Sequence, residues 1–103
     1  MKKTLLLLCL LLCTTAYGQN KIKVACVGNS VTYGAGIENR EVNSYPAQLQ
    51  RMLGDGYEVV NFGKSGATLL NKGHRPYCEQ EEYKAALDFA GDRVVIHLGL
   101  NDT

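Results

Sequence analysis

The sequence predicts an α/β domain: a parallel, three-layer, flavodoxin-like sheet whose first strands run in the order 2-1-3. Three observations point there. Three short apolar runs, Ile22 to Val27, Tyr57 to Phe62 and Val94 to Leu98, read as buried strands. Two stretches with apolar residues at helical spacing lie between them. Each run then stops in a polar loop that contains glycine. Alternating strands and helices with apolar strands are the pattern of a parallel sheet with helices packed on it, and right-handed crossovers are expected between the strands.

The segment before the first strand is read separately. Lys2 and Lys3 form a positive start, Leu5 to Leu12 an apolar stretch, and Ala16-Tyr17-Gly18 a small-x-small cleavage site. Residues 1–18 are therefore expected to be a secretory signal peptide, too short in its apolar part to span a bilayer. The rest, 19–103, is expected to be one small domain, with a secreted or periplasmic location. Cys13 would suit a lipoprotein anchor only after a small residue, and Leu12 precedes it.

Strand 1 is expected over about Lys21 to Val27, stopped by Gly28. A long loop, Asn29 to Asn43, carries Gly34 and Gly36. Ser44 suits a helix N-cap, and Pro46 the first turn, where its missing N–H costs nothing. Ala47, Leu49, Met52 and Leu53 then fall on one helical face, and Gly54-Asp55-Gly56 ends the helix. Strand 2 closes at Asn61-Phe62-Gly63-Lys64-Ser65-Gly66. His74-Arg75-Pro76-Tyr77-Cys78 is a loop. Glu79 to Ala90 reads as an amphipathic helix with Tyr83, Ala86, Leu87 and Ala90 on one face, and strand 3 ends at Gly99-Leu100-Asn101-Asp102.

Composition excludes more than it assigns. Losing Lys2 and Lys3 with the leader takes the 11 basic residues to nine, against 10 acidic. No basic stripe is present, which argues against a nucleic-acid partner. No CxxC or paired histidines suggest a metal. Of the four cysteines, Cys9 and Cys13 leave with the leader. Cys26 reads as a small buried hydrophobe, and Cys78 lies in a loop. A Cys26–Cys78 disulfide is open in an oxidising compartment, but the spacing does not require it.

The chemistry is expected at the strand ends, where open α/β sheets collect reactive groups. Ser30, two residues past strand 1, stands where a nucleophile would. A serine esterase also needs a base and preorganised donors for the oxyanion. The N–H groups of Ser30 and Gly66 and the side-chain amide of Asn101 are donors of the right type, arriving from three separate loops. The plain alternative is a polar turn in which Asn29 or Ser30 only caps the next segment.

At these residues the chain resembles the SGNH, or GDSL-type, hydrolase family. Gly28-Asn29-Ser30 with Tyr33-Gly34 is similar to its first block, Asn61 to Gly66 to its second, and Gly99-Leu100-Asn101-Asp102 to its third. The resemblance implies a carboxylic ester hydrolase with Ser30 as nucleophile, an oxyanion hole of Ser30, Gly66 and Asn101, and no cofactor or metal. It is nearest to secreted bacterial members of the sialate O-acetylesterase type, in which Ser44-Tyr45-Pro46 and Arg75-Pro76-Tyr77 are familiar neighbours. The implied substrate is a small-molecule or glycan ester, with O-acetyl groups on carbohydrate such as sialic acid expected to be removed.

Two departures stand out. Asn29 replaces the usual acid of the first block and is expected to support the loop by hydrogen bonding. Asp102 is expected to brace its own loop rather than to orient a histidine. The family's Asp-x-x-His block, which supplies the base, does not occur here, so the chain is expected to be the N-terminal part of a longer hydrolase. His97, in a strand, and His74, in a surface loop, are weaker candidates for a base. Strand 3 would then present an unpaired edge and an apolar patch, with poor solubility.

Two rival classes compete with an esterase. Nucleotide binding fails, because Gly28, Gly34 and Gly36 do not form G-x-G-x-x-G and the glycine that a P-loop needs is Glu58. A catalytically dead or glycan-binding remnant stays open as the alternative.

Overall fold

The computed structural model describes residues 20–102. The leader expected at 1–18 lies outside them. Three parallel strands, β1 (Ile22–Gly28), β2 (Tyr57–Gly63) and β3 (Arg93–His97), form one sheet in the order β2-β1-β3. The register sets Gly28 beside both Gly63 and His97, so the three strands finish level at one rim.

Alternation along the strands sorts the two faces. Ala25 and Val27 face the helix α4 (Glu81–Phe89), as do Val94, Ile96 and Leu98. Phe62 joins them through the Phe89 ring, 5.4 Å between centroids. Val59 and Asn61 lie on the other face, toward α3 (Tyr45–Leu53). The result is helix, sheet, helix. Val24, Ala25, Cys26 and Val27 are all buried, because β1 is the central strand and is covered on both faces.

The expected long loop is partly helical. Asn29 caps a single turn, α1 (Ser30–Tyr33), by accepting from the Val31 N–H at 3.1 Å. Gly34 closes it at φ 91°. A second turn, α2 (Arg40–Asn43), comes next. Turns this short carry too few residues to show a period, so the sequence reads them as loop. Ser44 does sit at the N-cap of α3, but its side chain makes no capping bond. It is buried instead, and a Cβ on Gly34 would lie only 3.0 Å from its own.

Gly63 is where α1 docks on the sheet. A Cβ there would overlap the Tyr33 backbone nitrogen and lie 2.7 Å from its Cα. Only glycine lets the turn that carries Ser30 approach the end of β2 so closely. Asn61 fixes the same contact: its Nδ2 donates to the Thr32 carbonyl at 2.8 Å and its Oδ1 accepts from Gly63 N–H.

The core is thin on the β3 side. Val94, Val95 and Ile96 are exposed, Ile96 by 65%, and an apolar cavity of about 300 Å³ opens between α4 and β3. Among the described residues β3 pairs only with β1. Cys26 and Cys78 are both free thiols, the first buried and the second exposed. Burial pushes the Cys26 thiol above its ordinary range, which keeps it an unreactive apolar filler. Among the described residues no helix is long and apolar enough to cross a membrane.

Candidate active site

Three segments meet at the rim, and backbone bonds knit them. Asn29 N–H donates to the His97 carbonyl at 3.2 Å, and Lys64 N–H to the Gly28 carbonyl at 2.9 Å. The loops after β1, β2 and β3 therefore share one frame.

Ser30 is the first residue of α1 and partly exposed. Its position follows from the cap: the Asn29 side chain holds the Val31 N–H, so the turn begins on the serine. Asn29 is fully buried, and its Nδ2 finds no acceptor among the described residues. Tyr45 supports the same turn from α3, its hydroxyl 3.0 Å from Thr32 Oγ1. Burial raises the Tyr45 pKa above its ordinary value, so the phenol stays neutral and available for that bond.

Gly66 lies in the loop after β2 at φ 80°, a conformation that L side chains rarely adopt. Ala67 N–H closes the turn onto the Lys64 carbonyl at 3.1 Å. Among the described residues the N–H groups of Ser30 and Gly66 donate no intramolecular hydrogen bond. Two donors at one rim are thus left for something else.

Asn101 reaches the second loop directly. Its Nδ2 donates to the Ala67 carbonyl at 3.0 Å, beside Gly66. An amide carries two N–H donors, so one anchors the loop and the other is free to act. Asp102 clamps the same loop, accepting from Leu69 N–H at 2.9 Å and Leu70 N–H at 2.6 Å.

The remaining groups are bracing: the sequence placed Tyr45, Asn61, Arg75 and Tyr77 in or beside the blocks but did not show the bonds they make. Thr32, Tyr45 and Asn61 hold the turn that carries Ser30. Asn61 stood out through the second block, at the end of β2. Arg75 donates from Nη1 to the Ser65 carbonyl at 3.0 Å. Its neighbour Tyr77 donates its hydroxyl to the Phe62 carbonyl at 2.6 Å.

Neither histidine stands among these groups. His97 is on β3, exposed, and touches the rim through its backbone carbonyl. His74 is exposed in the loop before Arg75. Among the described residues no group of three His, Cys, Asp or Glu side chains could hold a metal ion.

Over 85 residues the chain is 55% identical to an acetylxylan esterase of Xylanibacter ruminicola. The match takes in 82% of this chain and 18% of that relative, so the chain spans about a fifth of its length. No solved structure matches. The model of the GDSL-like Lipase/Acylhydrolase family matches residues 26–103, from the middle of β1 through all three blocks at the rim, and the chain belongs to that family.

Proposed function

We propose that this chain carries the nucleophile and the oxyanion donors of a serine ester hydrolase that removes O-acetyl groups from carbohydrate. The observation that carries the reading is the bond from Asn101 Nδ2 to the Ala67 carbonyl. It ties the third block to the glycine loop of the second, while Gly63 seats the Ser30 turn against the end of β2.

In this reading Ser30 Oγ attacks the acetyl carbonyl. The negative charge that develops on the carbonyl oxygen is met by the N–H groups of Ser30 and Gly66 and by the second N–H of Asn101. Such donors act strongly because they are held in place before charge develops. The base is a histidine from outside these 103 residues, with a nearby aspartate setting its tautomer, by the logic of the serine triad. It takes the serine proton and returns it to the leaving sugar hydroxyl; water then releases acetate. Asn29 and Asp102 hold the loops and stay out of the bond-making. Secretion after removal of residues 1–18 suits a polymeric substrate.

The relative's name supports acetylated xylan over acetylated sialic acid as the first substrate to try. The test is acetate release by the full-length gene product from acetylated xylan, acetylated sialic acid and p-nitrophenyl acetate. Ser30→Ala is expected to lower kcat by roughly 10⁴-fold or more, and Asn101→Ala by about 10²- to 10³-fold. A Ser30→Ala protein that keeps wild-type turnover would refute the reading. A wild type inactive on every ester would favour the remnant.

A further inference from the structure

A second concavity adjoins the rim, and its chemistry differs from that of the apolar cavity under α4. It is a groove of about 230 Å³ lined by Tyr33, Lys64, Ser65, Arg75 and Glu82. We propose that this groove is the subsite for the sugar that bears the ester, a neutral polyhydroxylated ring. The proposal rests on the esterase reading and adds where the leaving group sits.

Location comes first. Tyr33 follows Ser30 by three residues on α1, and side chains at that spacing on a helix are neighbours, about 5–6 Å apart at Cβ. Ser65 immediately precedes Gly66, and a Cβ on Gly66 would lie 3.5 Å from Arg75 Nη1. The groove therefore borders both the proposed nucleophile and an oxyanion donor. A sugar whose acetyl group lay over Ser30 would need room within one ring's width, on that side.

Chemistry comes second. The lining has an aromatic ring, cationic donors at Lys64 and Arg75, a carboxylate acceptor at Glu82 and a hydroxyl at Ser65. Mixed donors and acceptors beside an aromatic ring match vicinal hydroxyls on an apolar ring. The Lys64 ammonium and Glu82 carboxylate lie 3.7 Å apart. That pair offsets its own charges, and Arg75 donates from Nη1 to the Ser65 carbonyl; the lining keeps one net positive charge, with donors and an acceptor both within reach of ring hydroxyls.

Preorganisation comes third. The Tyr33 ring is already held, with the Arg40 guanidinium carbon 3.7 Å from its centroid. Arg40 Nε also donates to the Tyr33 carbonyl at 2.7 Å. A ring fixed before binding loses little freedom when a sugar docks.

The test uses the full-length gene product in two assays. Kinetics compare acetylated xylo-oligosaccharide with p-nitrophenyl acetate, which has no sugar. Calorimetry measures binding of the deacetylated oligosaccharide. Tyr33→Ala is expected to lower the ratio of kcat/KM for oligosaccharide over p-nitrophenyl acetate about ten-fold, mainly through KM, and Tyr33→Phe to restore most of it. Glu82→Gln, on a different element, is expected to lower the same ratio about three-fold by the loss of one charged hydrogen bond to a hydroxyl. Equal losses on both substrates would assign Tyr33 a structural role and overturn the subsite. So would wild-type affinity for the oligosaccharide in both the Tyr33→Ala and Glu82→Gln proteins, or a wild type that cleaves p-nitrophenyl acetate yet binds no oligosaccharide. A protein that binds the oligosaccharide through Tyr33 but cleaves no ester would keep the groove and remove the esterase.

Discussion

Replacing Tyr77 by Phe separates a buried hydrogen bond from a buried ring. Tyr77 is 3% exposed and packs edge-on against Tyr83, 5.9 Å between centroids, within a cluster that includes Val27 and Ala67. Phe keeps that packing. It deletes the hydroxyl that donates to the Phe62 carbonyl at 2.6 Å, which should cost about 1–2 kcal/mol near neutral pH. The pH dependence is the sharper test. Burial, and secondarily the charge of Glu82, push the Tyr77 pKa up to about 12 from an ordinary 10. The folded state therefore holds the phenolic proton more tightly than the unfolded chain does. The stability tied to that proton is fully present below pH 10 and is lost as pH rises toward 12. The loss comes to about 1 kcal/mol at pH 11 and about 2 kcal/mol at pH 12. Urea unfolding of wild type and Tyr77→Phe at steps from about pH 8 to pH 12 reads it out. The other tyrosines are common to both proteins, so the difference between the curves isolates Tyr77. Wild type should lead at about pH 8 and lose that lead between about pH 11 and 12. Parallel curves across the range would refute the reasoning.

Other substitutions test the rim. Gly63→Ala drives a methyl into the Tyr33 backbone and should destabilise by about 3 kcal/mol or more, seen as a large drop in unfolding midpoint. Asp102→Ala frees the Leu69 and Leu70 amides; their hydrogen exchange should speed up about ten-fold or more, in line with two lost bonds to a charged group. Asn29→Ala removes the cap on Val31 but also an amide with no acceptor among the described residues. Its cost in thermal stability should stay at about 1 kcal/mol, the typical value for a capping residue.

Much of the fold was readable because its signals are local. The three apolar runs and the proline-opened helix each announce themselves within a short stretch of chain. The order 2-1-3, expected as the first part of a flavodoxin-like sheet, is the one the structure has. The turns α1 and α2 were not readable, since four residues cannot display a helical period, and α1 is held by Asn29, Gly34 and the docking at Gly63. Ser44 shows the same limit: its residue type suggests a cap, yet packing against Gly34 decides what its side chain does. At the site, Ser30, Gly66 and Asn101 stood out through short blocks at strand ends. The bonds that brace them did not. Thr32 and Tyr45 lie 13 residues apart, and Asn61 reaches Thr32 across 29; nothing near either residue in the sequence marks such a pairing.

Asn101 and Asp102 both grip the stretch from Ala67 to Leu70. Two proposed donors for one oxygen thus ride on a single cross-tie rather than on independent supports. Truncating Asn101 would remove its own N–H and also slacken the tether beside Gly66, so a rate deficit in that variant sums two injuries. The atoms gripped on the second loop are backbone groups, so the tie depends on Asn101, Asp102 and the path of that loop rather than on the side chains of Ala67, Leu69 and Leu70.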